Sequence, residues 1–362
     1  MSKILLCSEF YLPHIGGVEI HTKTLFNYFN KKKNEVFIAT SYDSKRKNFR
    51  KKNIQEFKIK GNLVRGYRGE TTNYQNFLLN NNFDIIFFNA AQQWSFDLAL
   101  PILENIKAKK ILFPCGFSRY KNFLYKPYFE IIKQKINLID KIICANKKSF
   151  DYLYLRKIYK KKIFVVNNGA SRIKSKSKNY NLLKDYLINS KYKLFINISN
   201  IKFNKGQDRV IGLFKKIPLK NLLLILVGDN HSSLYYIYIK FKILLFNFYN
   251  KSKKILLLKS NKDLVKELYK VSDYFIFGSR LEYDPLVMYE SIISNTKFLA
   301  YKVGTCQDIM KKTNYGISSD NDNEKIEFIL KNIKRKSVNK NIEKYTWPII
   351  CKKYSKIFFS RK

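Results

Sequence analysis

The sequence predicts an α/β protein of two similar halves. Each is a Rossmann-like, doubly wound parallel sheet, the two face a central ligand cleft, and a C-terminal helix closes back on the first. Three observations predict it. The 362 residues are about two and a half times the ~150-residue guide for one domain. Short apolar runs of strand length alternate with segments of helical period from the first residues onward, the rhythm of βαβ units covered on both faces. That rhythm stops once, in a Ser/Lys-rich stretch, and then restarts.

Taken in order, Ile4–Cys7 reads as a buried parallel strand. A loop from Phe10 to Gly17 follows, then a helix in which Val18, Thr22, Leu25, Phe26 and Phe29 share one face. Val36–Ala39, Asp84–Phe88, Lys110–Phe113, Lys141–Cys144 and Ile163–Val166 are the next strands. From Arg172 to Asn181 the apolar residues vanish, which marks a linker. Strands resume at Lys193–Ile198, Leu222–Val227, Ile255–Leu258, Tyr274–Phe277 and Lys297–Ala300, with helices such as Asp208–Lys216 and Asp263–Val271 between them. Trp347, Ile350, Tyr354 and Ile357 stand in helical register near the end. The expected organisation is a first domain over 1–175, a linker over 176–190, a second domain over 191–344 and a closing helix over 345–362. In such folds ligands sit at the C-terminal ends of the strands.

Composition narrows the function classes. A hydrophobic share of 46% with 16% aromatics excludes a disordered chain, and a mean hydropathy of −0.32 argues against a polytopic membrane protein. Lys and Arg number 70 against 27 Asp and Glu, a net charge of +43. An anionic partner or a Lys/Asn-rich composition throughout the chain would each account for it, and the even spread of lysines favours the second. Local clusters stand at Lys31–Lys33, Lys45–Lys47, Arg50–Lys52 and Lys160–Lys162. The five cysteines, Cys7, Cys115, Cys144, Cys306 and Cys351, form no C-x-x-C pair, and the histidines are His14, His21 and His231. Neither a disulfide framework nor a metal centre is expected, and no cofactor. The N-terminal apolar run is broken by Ser8 and Glu9, and no internal run approaches the ~20 residues of a membrane span. A cytoplasmic protein is expected.

The most informative stretch is Glu282-Tyr283-Asp284-Pro285-Leu286-Val287-Met288-Tyr289-Glu290, directly after the strand Tyr274–Phe277. Asp284 followed by Pro285 fits a helix N-cap and first helical position. The amides of Leu286 and Val287 would then be free at a helix N-terminus, a place suited to a diphosphate. Glu282 and Glu290 flank that cradle and must face something other than phosphate, such as sugar hydroxyls. Helix capping plus a solvated glutamate is the plainer reading of the pair.

FIFGSRLEYDPLVMYESIISNTKFLAYKVGTCQDI resembles the E-x₇-E signature of glycosyltransferase family 4, retaining enzymes of the GT-B fold. Other segments are similar to family segments in the same order: FYLPHIGGVEIHTKTL to the N-terminal Gly-Gly loop, VVNNGAS to the end of the first domain, FINISNIKFNKGQDRVI to the phosphate-binding basic stretch, LLLILVGD to the next strand and YTWPIICKKY to the closing helix. The resemblance covers essentially the whole chain. It implies that Glu290 hydrogen-bonds the ribose of a nucleotide donor and that Glu282 contacts the donor sugar near the reacting carbon. It also implies that Lys205, with Gly206 allowing close approach, neutralises the departing diphosphate, and that Gly16 and Gly17 pack against phosphates and acceptor.

The chain departs from the family pattern in three places. Asn200 replaces the usual Arg, with Lys202 as a nearby cation. Pro285 replaces a Gly. Cys115 and Ser118 stand in the segment where many members carry a His, and these two with His14 are acceptor-side candidates.

The resulting expectation is a retaining glycosyltransferase moving a sugar from a UDP- or GDP-sugar to a hydroxyl of a glycan or lipid-linked acceptor in bacterial surface polysaccharide synthesis. Its basic clusters would hold it against the anionic inner face of the cell membrane. A non-catalytic nucleotide-binding relative and a basic nucleic-acid binder are the alternatives. No RRM, KH or zinc-finger spacing supports the latter, so no specific nucleic-acid partner is expected.

Overall fold

The computed structural model describes residues 1–49, 53–64, 66–118, 120, 122–172, 192–332 and 342–360. The predicted linker 176–190 and the basic cluster Arg50–Lys52 lie outside these residues. The chain forms two compact units, one of residues 1–168 with 347–362 and one of residues 169–346.

The first unit is built on seven parallel strands in the order β3-β2-β1-β6-β7-β8-β9. These are β1 (Lys3–Cys7), β2 (Glu35–Ser41), β3 (Ile54–Phe57), β6 (Ile85–Asn89), β7 (Lys109–Phe113), β8 (Lys141–Cys144) and β9 (Ile163–Val165). A small antiparallel hairpin, β4 (Ile59–Asn62) with β5 (Gly66–Gly69), stands beside the sheet order. The central strands are apolar on both faces because helices cover both.

One cover is the pair Gly17–Lys31 and Trp347–Phe359. Phe29 stacks on Phe358 at 4.8 Å, and His21 lies 5.0 Å from Tyr354 and 6.0 Å from Trp347. The closing helix therefore belongs to the first unit, and two lysines of the sheet hold its end. Lys109 Nζ donates to the carbonyls of Phe358 and Ser360 at 2.9 and 2.8 Å, and Lys141 Nζ to those of Ile357 and Ser360 at 3.0 and 2.7 Å. Cations at the negative end of a helix satisfy carbonyls that have no intrahelical donor.

The second unit has six parallel strands in the order β12-β11-β10-β13-β14-β15: β10 (Lys193–Ile198), β11 (Leu222–Val227), β12 (Lys253–Leu258), β13 (Tyr274–Phe277), β14 (Lys297–Ala300) and β15 (Gly316–Ser318). Alternate residues of each strand enter opposite cores. Ile196, Ile225 and Phe275 pack with the helices Lys262–Val271, Leu286–Ile293 and Cys306–Thr313, while Phe195, Leu224 and Ile276 pack with Gln207–Lys216 and Ser233–Tyr249. In both units the chain leaves its first strand in one direction across the sheet and later returns to its other side. That makes β1/β6 and β10/β13 the switch points at which crevices open.

Candidate active site

In the second unit the loop after β10 meets the loop after β13 at the switch point. Lys205 ends the short turn Phe203–Lys205, and its ammonium is ion-paired with the Glu282 carboxylate, both partly buried. Gly206 follows at φ +66°, in the left-handed region. A Cβ on Gly206 would lie 2.1 Å from the Gly278 carbonyl oxygen, and one on Gly278 would lie 2.5 Å from that of Gly206. Two facing glycines thus let two backbones touch.

Arg280 locks the contact. Its amide donates to Asn204 O at 2.8 Å and its Nη1 to Phe203 O at 2.7 Å, and its guanidinium bonds both Asp208 oxygens at 3.0 and 2.6 Å while lying 4.0 Å over the Phe203 ring. Burial pushes the Asp208 carboxyl up, but the Arg280 and Tyr235 bonds overrule it and leave it below the usual carboxylate range. Sequence reasoning passed over Arg280. Its signal was a lone arginine two residues beyond the glycine that ends a buried strand.

The helix after β13 begins at Leu286, with Pro285 as its cap residue at φ −72° and ψ 124°. This corrects the expectation that Asp284 caps the helix and Pro285 is its first residue. The physical reason is that the Asp284 carboxylate is engaged elsewhere: it accepts from the Tyr289 hydroxyl and from Thr305 Oγ1, the latter at 2.7 Å. Gly304, at φ +52°, allows this, since a Cβ there would meet Tyr283 O at 2.7 Å and Glu282 O at 2.9 Å. The amides of Leu286 and Val287 stand in the first turn, where no intrahelical acceptor exists. Glu290 lies one turn on from Leu286, on the same face. Burial raises its carboxyl above the usual range, and the Tyr269 hydroxyl, 3.3 Å from Oε2, pulls the other way. Asn200, at the end of β10, uses its carbonyl to accept from Gln207 Nε2 at 3.0 Å. Lys205, Gly206, Glu282, Leu286, Val287 and Glu290 are therefore carried by two adjacent loops and one helix.

The remaining predicted residues lie at the C-terminal ends of the first unit's strands. Gly16 is the cap residue of the helix that Gly17 begins, and a Cβ on Gly16 would lie 2.4 Å from Glu19 Oε2. His14 is exposed and pairs with Asp43 at 3.2 Å. Cys115, at φ +59°, has its Sγ 3.5 Å from Asn89 Oδ1, and burial raises its thiol well above the ordinary value. Ser118 is tied to Gln92, which accepts from the serine amide at 2.7 Å and from Oγ at 2.9 Å.

Beside them are two glutamates to which sequence reasoning gave no role. Burial, and then the charge of Glu19, raises the Glu9 carboxyl to about 7, and burial raises that of Glu19 as well. Of the basic clusters, Lys31–Lys33 is exposed. Arg46 does not belong to a solvated run: it is buried, ion-paired with Glu56, and donates to Leu12 O at 2.6 Å and Ser41 O at 2.9 Å.

Residues 179–345 match the family model described as glycosyl transferases group 1. Among curated proteins no sequence matches this one. Solved structures are similar over the whole chain. Sucrose-phosphate synthase from Thermosynechococcus elongatus aligns with a TM-score of 0.78 at 13% identity, over 99% of this chain and 98% of that one. Anabaena HepE in complex with UDP-glucose aligns at 0.74 and 14% identity, over 99% of each. WaaG, a glycosyltransferase involved in lipopolysaccharide biosynthesis, aligns at 0.71 and 14% identity, over 99% and 100%. At these identities the similarity speaks for the fold, which is GT-B. The family match lies in the second unit, around the Lys205–Glu282 pair, and supports a glycosyltransferase.

Proposed function

We propose that this chain is a retaining, family 4-like glycosyltransferase that moves a hexose from a nucleoside diphosphate to an acceptor hydroxyl. The reading rests on one observation, the Lys205–Glu282 ion pair at the β10/β13 switch point, with the helix Leu286–Ile293 beginning four residues after Glu282. A diphosphate there is held by an ammonium and by helix amides, fixed positive charge that needs no reorganisation as the leaving group develops. Glu290 takes the ribose hydroxyls, whose donated bonds favour its charged form and offset the burial that raises it. Glu282 exchanges its bond to Lys205 for the donor sugar, and the lysine is then directed at the β-phosphate.

In the reaction the bond from the anomeric carbon to the β-phosphate oxygen breaks. The acceptor oxygen bonds the same face of that carbon, and the acceptor proton passes to the leaving diphosphate. UDP is the first nucleotide to test, because HepE, a similar fold, was solved with UDP-glucose. A lipid-linked glycan of bacterial surface polysaccharide is the acceptor class we favour, in line with the process named for WaaG. The enzyme would work in the cytoplasm, peripherally on the inner face of the membrane.

The test is a thermal-shift screen of UDP, GDP, ADP and their sugars, followed by steady-state kinetics on Lys205→Ala and Glu290→Ala. A cognate nucleotide raises the melting temperature by mass action. Lys205→Ala lowers kcat and Glu290→Ala raises the donor KM. Wild-type turnover in both variants would falsify the site assignment.

A further inference from the structure

The helix Ser233–Tyr249 packs one face on the edge of the second sheet through Tyr235, Ile239, Ile243 and Phe246. Its opposite face is also apolar. Leu234, Ile237, Phe241, Leu244 and Phe248 are between 60% and 85% exposed. At ~100° per residue these five side chains fall within an arc of roughly 80°, which Leu245, Tyr238 and Tyr249 extend to about 140° with no charged residue in it. Lys240 borders the arc on one side and Lys242 on the other. Lys242 Nζ lies 4.8 Å from the centre of the Tyr238 ring, its stem along the apolar surface. Between Asp229 and Asp263 the chain has seven lysines and no carboxylate. A contiguous exposed apolar face of this kind marks an interaction surface.

We infer that this face lies in the headgroup region of an anionic lipid surface, the helix flat against it and the flanking lysines over the phosphates. Spanning is excluded by geometry: 17 residues rise only about 25 Å, short of the ~30 Å hydrocarbon core, and one face is already committed to protein. Among the described residues no helix is long and apolar enough to cross a membrane. Charge selects the occupant. A second copy of this chain brings the same lysine rim and another +43 to the contact, whereas an anionic leaflet complements both the rim and the apolar arc.

The experiment uses the full chain with vesicles of phosphatidylcholine alone and of phosphatidylcholine with phosphatidylglycerol. Net charge alone attracts a protein this basic, so the decisive readout is local. In Phe248→Trp, anionic vesicles should shift the new indole emission to the blue, and brominated acyl chains should quench it. The paired surface change Phe241→Ser, Phe248→Ser should weaken vesicle partition at moderate salt by at least about tenfold, the loss of two inserted phenyl groups. Vesicle binding with no blue shift at position 248 overturns the inference. So does wild-type partition by the double variant, or a wild-type dimer in solution that the double variant dissolves. No sugar donor enters this test, so it and the transferase reading stand or fall separately.

Discussion

Replacing Gly206 by alanine adds one methyl group at the point where the Lys205 turn touches the loop after β13. Two costs follow from the geometry. Gly206 sits at φ +66°, where a side chain costs about 1–2 kcal/mol. The new Cβ would also lie 2.1 Å from the Gly278 carbonyl oxygen, which is backbone and cannot rotate away, while ordinary contact begins near 3.4 Å. The loops must part by more than about an ångström, a strain on the order of 1–3 kcal/mol. Together the variant loses about 2–5 kcal/mol. The parting also draws Lys205 from Glu282, so donor binding should fall along with stability.

Gly212→Ala is the internal control, since the same methyl in the helix Gln207–Lys216 meets nothing within 4 Å and should gain about 0.5–1 kcal/mol. Urea midpoints at fixed slope measure both, and UDP thermal shifts report the donor site. If Gly206→Ala unfolds within about 0.5 kcal/mol of wild type and keeps its UDP shift, the close approach of the two loops is not what organises the site.

Three further outcomes are expected. Arg280→Ala removes the clamp between Asp208 and the Phe203–Lys205 turn and should lower both stability, by about 2–4 kcal/mol, and the UDP thermal shift; loss of neither shows the turn to be self-supporting. Burial, against the Asn89 bond, lowers the His21 imidazole to about 4. A base depressed in the fold supports stability fully above the unfolded value near 6.5 and loses it as pH falls towards 4. His21→Phe should therefore flatten the acid limb by up to about 3 kcal/mol in urea titrations at successive pH values, and parallel curves would contradict this. Glu9 behaves oppositely, since its raised carboxyl gives stability complete below about 4.5 that is lost as pH rises through 7. Glu9→Gln should match wild type at pH 4 and exceed it by about 1–3 kcal/mol at pH 8, and equal stability at both would refute the burial argument.

What the sequence by itself determined is the scaffold. Strand runs such as Leu222–Val227 and Ile85–Phe88 are apolar throughout, and only a sheet covered on both faces accepts such a run at that length. The closing helix was legible because Trp347, Ile350, Tyr354 and Ile357 keep one face, and the loop after β13 because its E-x₇-E spacing is tied to a strand end. The short edge strand Ile54–Phe57 carried no such signal, its two middle residues being polar. The helix Ser233–Tyr249 was concealed by being apolar on both faces, which erases the period that reveals a helix.

Only the tertiary structure decided which charges work as charges and which as struts. Arg46 reads as one cation of a basic run until Glu56 and two carbonyls surround it, and Asp284 reads as a helix cap until the hydroxyls of Tyr289 and Thr305 claim it. Partners of this kind are 5 to 34 residues away for Arg46 and up to 21 for Asp284, and for Arg280 the distance to Asp208 is 72. Local sequence specifies period and propensity. A polar side chain's partner is chosen by whatever the folded sheet brings within three ångströms, and that is a property of the whole chain.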